Sequence, residues 1–141
     1  MLNNVFYSEP KQGDIIVASK ESFKDGEPII KRVIATEGQF VDIDFDAGIV
    51  FVGDSEESMM PLTEDYTKTL TTRHEGMEFP LQVAEGCIFV MGDNRDLSKD
   101  SRNPEIGLID TREVLGKAIF LVLPAIEPTT RSREFNRIGA L

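Results

Sequence analysis

Two stretches of this chain carry side chains whose types and spacing could do chemistry. The first is GDNRDLSKDSR, residues 92–102, the densest polar run in the sequence, which follows directly on the apolar CIFVM of residues 87–91. It sets amide, guanidinium, hydroxyl and carboxylate groups in close succession. Asp100 and Arg102 stand two apart and can form a bidentate ion pair that clamps the loop, and Ser98 can hold a nearby amine through a hydrogen bond. The second stretch is IIKRVIATEG, where Lys31 and Arg32 interrupt an apolar run. Successive side chains on a strand face opposite sides, so one of the two points inward unless the strand is fully exposed. An inward lysine is stripped of water, its pKa falls, and the neutral amine becomes available as a general base. Arginine cannot take that role. Each stretch also has a plainer reading: a solvated, turn-rich loop for residues 92–102, and an edge strand with both charges in water for Lys31 and Arg32.

The elements that must position these groups read as β-rich. Residues 14–18, 29–35, 39–43, 48–52, 87–91 and 118–123 are short runs rich in β-branched or aromatic residues, separated by punctuation such as DGEP, DAG, GD and EG. No long helical periodicity is visible. TREVLG, residues 111–116, can form one or two helical turns, with Thr111 as cap and Gly116 as stop. From residue 54 to 86 the pattern weakens into a Ser/Thr/Glu/Met-rich segment, an excursion or small subdomain within one domain spanning residues 1–141. The expected fold is all-β, mostly antiparallel, with coiled or barrel-like sheets and one short helix at most.

Composition narrows the function classes. The chain has 141 residues, 40% of them hydrophobic, enough for one core. A net charge of -10 argues against a nucleic-acid partner, because phosphate recognition needs concentrated basic patches. One cysteine, Cys87, excludes an internal disulfide, and together with the one histidine, His74, it cannot assemble the usual zinc site from this chain alone. Cys87 sits in an apolar run and reads as a small buried residue, and His74 as a surface loop residue. The apolar run AIFLVLPAI is too short for a membrane helix, and MLNNVFYSEPK has no signal-peptide pattern, so the chain as given is expected to carry no membrane anchor.

In combination, the two polar stretches closely resemble the catalytic region of bacterial type I signal peptidases, the membrane-bound serine proteases that remove signal peptides from exported proteins. That family has a GDIV-type strand, a KRV-x-G-x-PGD segment, a GDNR-x-x-S-x-DSR-x-x-G segment and then GKA. Here Gly13-Asp14-Ile15-Ile16-Val17, Lys31-Arg32-Val33, Gly92-Asp93-Asn94-Arg95, Ser98, Asp100-Ser101-Arg102, Gly107 and Gly116-Lys117-Ala118 fall in that order, and the terminal FNRIGAL is similar to the family's C-terminus. The long segment is highly specific, while KRV alone is weak. The resemblance implies that Lys31 is the general base of a Ser/Lys dyad and that Ser98 orients its amine. It further implies that Asp100 and Arg102 form a supporting ion pair, and that Asp93 holds the geometry. It implies signal-peptide-bearing secretory preproteins as substrates, no cofactor, and work at the outer face of the cytoplasmic membrane.

The sequence departs from the family's pattern in two ways. Ala35, Glu37 and Gln39 replace its glycine, proline and final aspartate after KRV, although Gly38 is kept. The family's nucleophilic serine lies in an S-x-S-M-x-P-T motif upstream of the GDIV strand, beside an N-terminal membrane anchor. Residues 1–10 offer only Ser8 in YSEP, so the nucleophile and anchor are expected upstream of this chain, leaving the fragment inactive alone. Ser58-Met59-Met60-Pro61 reads like the serine motif, which makes Ser58 a candidate nucleophile. It lies downstream of Lys31, however, where the family carries an acidic, Pro- and Tyr-containing stretch that PLTEDY fits. Two alternatives stand beside the enzyme. One is a self-cleaving repressor-type Ser/Lys protease, which an upstream DNA-binding domain would favour. The other is a degenerate, non-enzymatic peptidase domain that binds extended peptides.

Overall fold

A strand can carry an unbroken apolar run only if both of its faces are covered, and that condition shapes the centre of this molecule. The computed structural model of the chain describes residues 2–3, 9–21, 23–67 and 69–118. Its strands are β1 (Leu2–Asn3), β2 (Ile15–Ala18), β3 (Ile29–Thr36), β4 (Phe40–Asp44), β5 (Ile49–Gly53), β6 (Met60–Pro61), β7 (Leu81–Gln82), β8 (Cys87–Met91), β9 (Ile109–Asp110) and β10 (Val114–Ala118). All pairings are antiparallel, in a six-stranded sheet of order β1-β10-β2-β3-β8-β9 and a four-stranded sheet of order β6-β5-β4-β7. The fold is therefore all-β and mostly antiparallel.

In β8 the side chains alternate between two cores. Ile88 and Val90 join Ile16, Ala18, Phe23, Ile29, Val33, Ile106 and Ile109 on one face of the six-stranded sheet. Phe89 and Met91 join Ile34, Val41, Ile43, Val50, Val52 and Val83 on the other, the layer shared with the four-stranded sheet. The strand β3 follows the same alternation. Lys31 shares its face with Ile29 and Val33, and lies opposite Ile16 of β2; Arg32 shares its face with Ile30 and Ile34, and lies opposite Met91 of β8. A bulge between Val33 and Ala35 then resets the register before the turn into β4.

That turn closes without the family's proline and aspartate. Gly38 takes φ +83, and its amide donates to Val83 O at 2.8 Å. The Gln39 amide oxygen accepts from the Thr36 backbone at 3.0 Å, and Glu37 reaches across to the Gly86 amide at 3.0 Å.

Helix is confined to one-turn 3₁₀ segments among the described residues: Lys24–Gly26, Glu56–Ser58 and Thr111–Glu113. The helical turn expected over residues 111–116 stops at Glu113, and its cap is Asp110, whose side chain accepts from the Arg112 backbone. Gly116 is not a stop, because β10 already began at Val114 and continues through it. Of the strand expected at 118–123 only Ala118 is described; the rest of it, the FNRIGAL terminus and Ser8 lie outside the described residues.

Residues 54–86 contribute β6 and β7 to the two edges of the four-stranded sheet, and residues 69–71 dock on the β4–β5 turn. In that turn the Asp44 carboxylate caps the amides of Asp46 and Ala47, and Gly48 N donates to Asp44 O at 2.7 Å. The Thr71 amide in turn donates to Gly48 O at 3.1 Å. Gly48 has φ +77, and a Cβ there would meet Leu70 Cβ at 2.5 Å. Replacing it adds both left-handed backbone strain and a clash. Gly48→Ala is expected to lose roughly 1–3 kcal/mol of unfolding free energy, read by urea denaturation; an unchanged midpoint would contradict this packing.

Candidate active site

The face of β3 that carries Lys31 is closed over by the loop after β8. Strand parity turns the Lys31 side chain into the sheet, where the residue is 6% exposed, and its Nζ donates to Ser98 Oγ at 2.9 Å. Burial pushes the ammonium below its ordinary 10.5; the Asp100 carboxylate pulls the other way, and Lys24 and Arg102 add to the lowering. The edge-strand reading with both charges solvated is thereby set aside: β3 lies between β2 and β8 inside the larger sheet.

Ser98 is held at the end of a tight turn in which the amides of Leu97 and Ser98 both donate to Asn94 O, at 3.2 and 2.9 Å. Below it lies the Asp100 to Arg102 ion pair, both side chains fully buried, with Arg102 Nε on Asp100 Oδ1 at 2.8 Å and Nη2 on Oδ2 at 2.9 Å. Asp100 also accepts the amides of Gly92 and Arg102, each at 3.1 Å. Arg102 donates onward to the carbonyls of Arg73, Arg95 and Ser98. Ser101 completes the stitch to β8: its hydroxyl accepts from Val90 N at 2.9 Å, and its own amide donates to Val90 O at 3.0 Å.

Asp93 faces the other side of β3. It grips Arg32 in a second bidentate pair, Nε to Oδ1 and Nη2 to Oδ2, both at 2.8 Å. The Arg32 guanidinium lies 3.9 Å from the Tyr66 ring centroid and donates to Gly13 O. The two adjacent cations of β3 are therefore treated oppositely: the arginine is neutralised by a carboxylate, while the lysine is placed where its charge is disfavoured.

Ser58 is not brought to this site. Its hydroxyl is engaged within its own turn, with the amide, hydroxyl and carbonyl of Ser55 at 3.0, 2.9 and 3.3 Å, on the connection between two strands of the smaller sheet. Cys87 is half-buried rather than fully buried, because β8 starts at the rim of the core, and desolvation there pushes its thiol up. His74 is exposed, its Nε2 2.8 Å from Met77 O.

Sequence reasoning missed Arg32 as a partner of Asp93, and it missed a third guanidinium cluster entirely. Arg95 is fully buried. It donates to Gly92 O at 2.7 Å, to Thr71 Oγ1 at 2.8 Å and to both carboxylate oxygens of Glu64. Tyr66 donates its hydroxyl to Glu64 Oε2 at 3.1 Å, and burial, with the Glu64 charge beside it, pushes the phenol up to about 12. Nothing local marks this set, since Glu64 and Arg95 are far apart in sequence and each sits in an ordinary polar run.

Comparison with known proteins places this geometry in context. Residues 1–123 match the family described as signal peptidase, peptidase S26. Signal peptidase I of Bacillus licheniformis is 32% identical over 121 residues, covering 84% of this chain and 62% of that protein. The probable signal peptidase I-1 of Synechocystis sp. is 34% identical over 128 residues, covering 84% of this chain and 58% of that protein. The chain spans less than two thirds of the length of either relative. A crystal structure of a signal peptidase I from Enterococcus faecalis V583 is similar with a TM-score of 0.61 at 28% identity, covering 79% of this chain and 98% of that one.

Two outcomes test the geometry directly. Asp100→Asn leaves Arg102 buried without its carboxylate and is expected to cost roughly 3–5 kcal/mol, measured by urea unfolding; a loss within experimental error would mean that the pair is dispensable. For Lys31 the sign follows from proton linkage. Its pKa is lowered in the folded chain, so the unfolded chain holds more protons between the folded value and 10.5, and stability rises with pH across that window. Lys31→Met is therefore expected to be more stable than the parent near neutral pH, by a margin that closes as pH climbs toward 10.5. A margin that does not vary with pH would show that the amine is not desolvated.

Proposed function

The chain belongs to the signal peptidase family, peptidase S26, and on that footing we propose that the protein is a serine endopeptidase removing signal peptides from exported preproteins, with Lys31 as its general base. The observation that carries this reading is the water-excluded Lys31 amine, lowered in pKa and held by the Ser98 hydroxyl at 2.9 Å.

The chemistry follows from the placement. A serine upstream of this chain supplies the nucleophile and attacks the carbonyl of a small residue at the cleavage point. The neutral Lys31 Nζ accepts the serine proton and then delivers it to the leaving amine, completing the acyl-enzyme. A water activated by the same amine releases the acyl group. Donors near that serine stabilise the tetrahedral oxyanion. Ser98 fixes the amine, the Asp100 to Arg102 pair fixes Ser98, and Asp93 fixes the neighbouring Arg32. The substrate enters extended, alongside the site's own strands. In this reading an N-terminal anchor holds the protein at the outer face of the cytoplasmic membrane.

Incubation with a purified preprotein, read by mass spectrometry at the signal-peptide junction, tests the assignment. The 141-residue chain alone is expected to leave the preprotein intact, and a form extended upstream to cut it. In the extended form Lys31→Ala lowers the rate roughly 10²–10⁴-fold, whereas Ser58→Ala leaves it unchanged. Cleavage by the short chain that is lost in Ser58→Ala would relocate the nucleophile. Retained binding of extended peptides without any cleavage would point to the non-enzymatic module.

A further inference from the structure

Among the described residues, the groups that face Lys31 include Ser98, Asp100 and Arg102 from the loop after β8 and Lys24 from the β2–β3 connection. None of them belongs to residues 64–67 or 69–71, yet that segment is tied to the site's supports at several points. The Glu64 side chain is 10% exposed and meets the fully buried Arg95 with both oxygens. Thr71, 1% exposed, accepts from the same guanidinium at 2.8 Å. Thr69 Oγ1 accepts the Arg95 amide at 3.0 Å, and Thr67 Oγ1 lies 2.8 Å from Asp93 O. Tyr66 joins the Glu64 carboxylate to the far side of β3 by stacking on Arg32.

Thr71 N is fixed to Gly48 O and Leu62 N to Val50 O, so the segment is built on the four-stranded sheet. Its polar atoms reach the loop of the six-stranded sheet three residues before Ser98, where Arg95 also holds Gly92 O. Resting on the peptidase reading above, we propose that residues 64–67 and 69–71 are a strap in which Glu64, acting through Arg95, is a positioning residue for the Lys31 and Ser98 pair. The smaller sheet serves the reaction as the abutment from which the base's loop is held in place.

The sign of one titration separates this from a plain charge effect. Removing a carboxylate from the vicinity of an ammonium lowers that ammonium's pKa through space, whereas loosening the loop admits water to Lys31 and raises it toward 10.5. The measurement is the Lys31 Cε shift followed by ¹³C NMR across pH in the 141-residue chain, assigned by its loss in Lys31→Arg. In Glu64→Gln the midpoint is expected to move up, and in the milder Thr71→Val to move up by less. Thr71→Val decides the matter if Glu64→Gln does not fold. In the form that cleaves preprotein, Glu64→Gln is expected to lower kcat about tenfold or more while KM changes little, with the ascending limb of the pH profile shifted upward. An unmoved or lowered midpoint in a folded variant overturns the strap, as does an unchanged kcat. Absence of cleavage by the unsubstituted protein overturns the peptidase reading instead, and the NMR titration still decides the strap.

Discussion

The interaction on which the rest depends is the ion pair between Asp100 and Arg102, with neither side chain exposed. Taking two charges out of water is costly unless every lone pair and proton finds a partner. Here they do: the five N–H groups of Arg102 are spent on the two Asp100 oxygens and on the carbonyls of Arg73, Arg95 and Ser98. The carboxylate takes two backbone amides besides. Such a pair is weak as a source of net stability and strong as a constraint on conformation. Removing either partner strands the other, so the loop from Gly92 to Arg102 has one arrangement in which its charges are compensated. The Ser98 carbonyl is one of the compensating groups, which couples the position of Ser98 to the pair.

The consequence reaches Lys31 through geometry and through charge. Among the described residues, the buried or part-buried guanidiniums around the site each have their own carboxylate: Arg32 with Asp93, Arg95 with Glu64, Arg102 with Asp100. The cations that cannot lose a proton are thus neutralised by pairing, and the cation that can lose one is set in the core face beside Ile29 and Val33. Were Arg102 unpaired, its field would press further on the Lys31 ammonium, but at the expense of the loop that places Ser98. Pairing leaves desolvation as the leading cause of the lowered pKa, a cause that persists only while the loop stays closed.

What the sequence disclosed and what it hid differ for a physical reason. The runs at 15–18, 29–36, 40–44, 49–53 and 87–91 were legible within a residue or so, because β-branched density and turn residues are local signals. That Lys31 and Arg32 take opposite faces was legible too, since parity is local, but parity could not choose between them; only the resemblance singled out Lys31. The two-residue strands β6, β7 and β9 left no such trace, as their order comes from pairing with longer neighbours. The partnership of Glu64 with Arg95 was out of reach, because burial of an arginine is decided by what the fold lays over it. Ser58 shows the converse: SMMP matches a motif by letters, yet the Glu56–Ser58 turn places the hydroxyl in a capping box with Ser55.

A strand alone cannot finish a site of this kind. The ladder on either side of β3 fixes the Cα of Lys31 and the face it takes, but the amine rides at the end of four methylenes with several open torsions. The fold must fix Nζ from the far end, and it does so with a hydroxyl presented by a loop. A loop is the mobile class of element, so the precision with which Nζ is placed depends on how well the loop is restrained. Among the described residues the ties include Ser101 to Val90 and Asp93 to Arg32 in the larger sheet, Arg102 to Asp100 within the loop, and Arg95 to Glu64 and Thr71 from the smaller sheet. Because these ties reach the loop from different elements, loss of any one leaves the Ser98 hydroxyl less fully constrained than the intact set does.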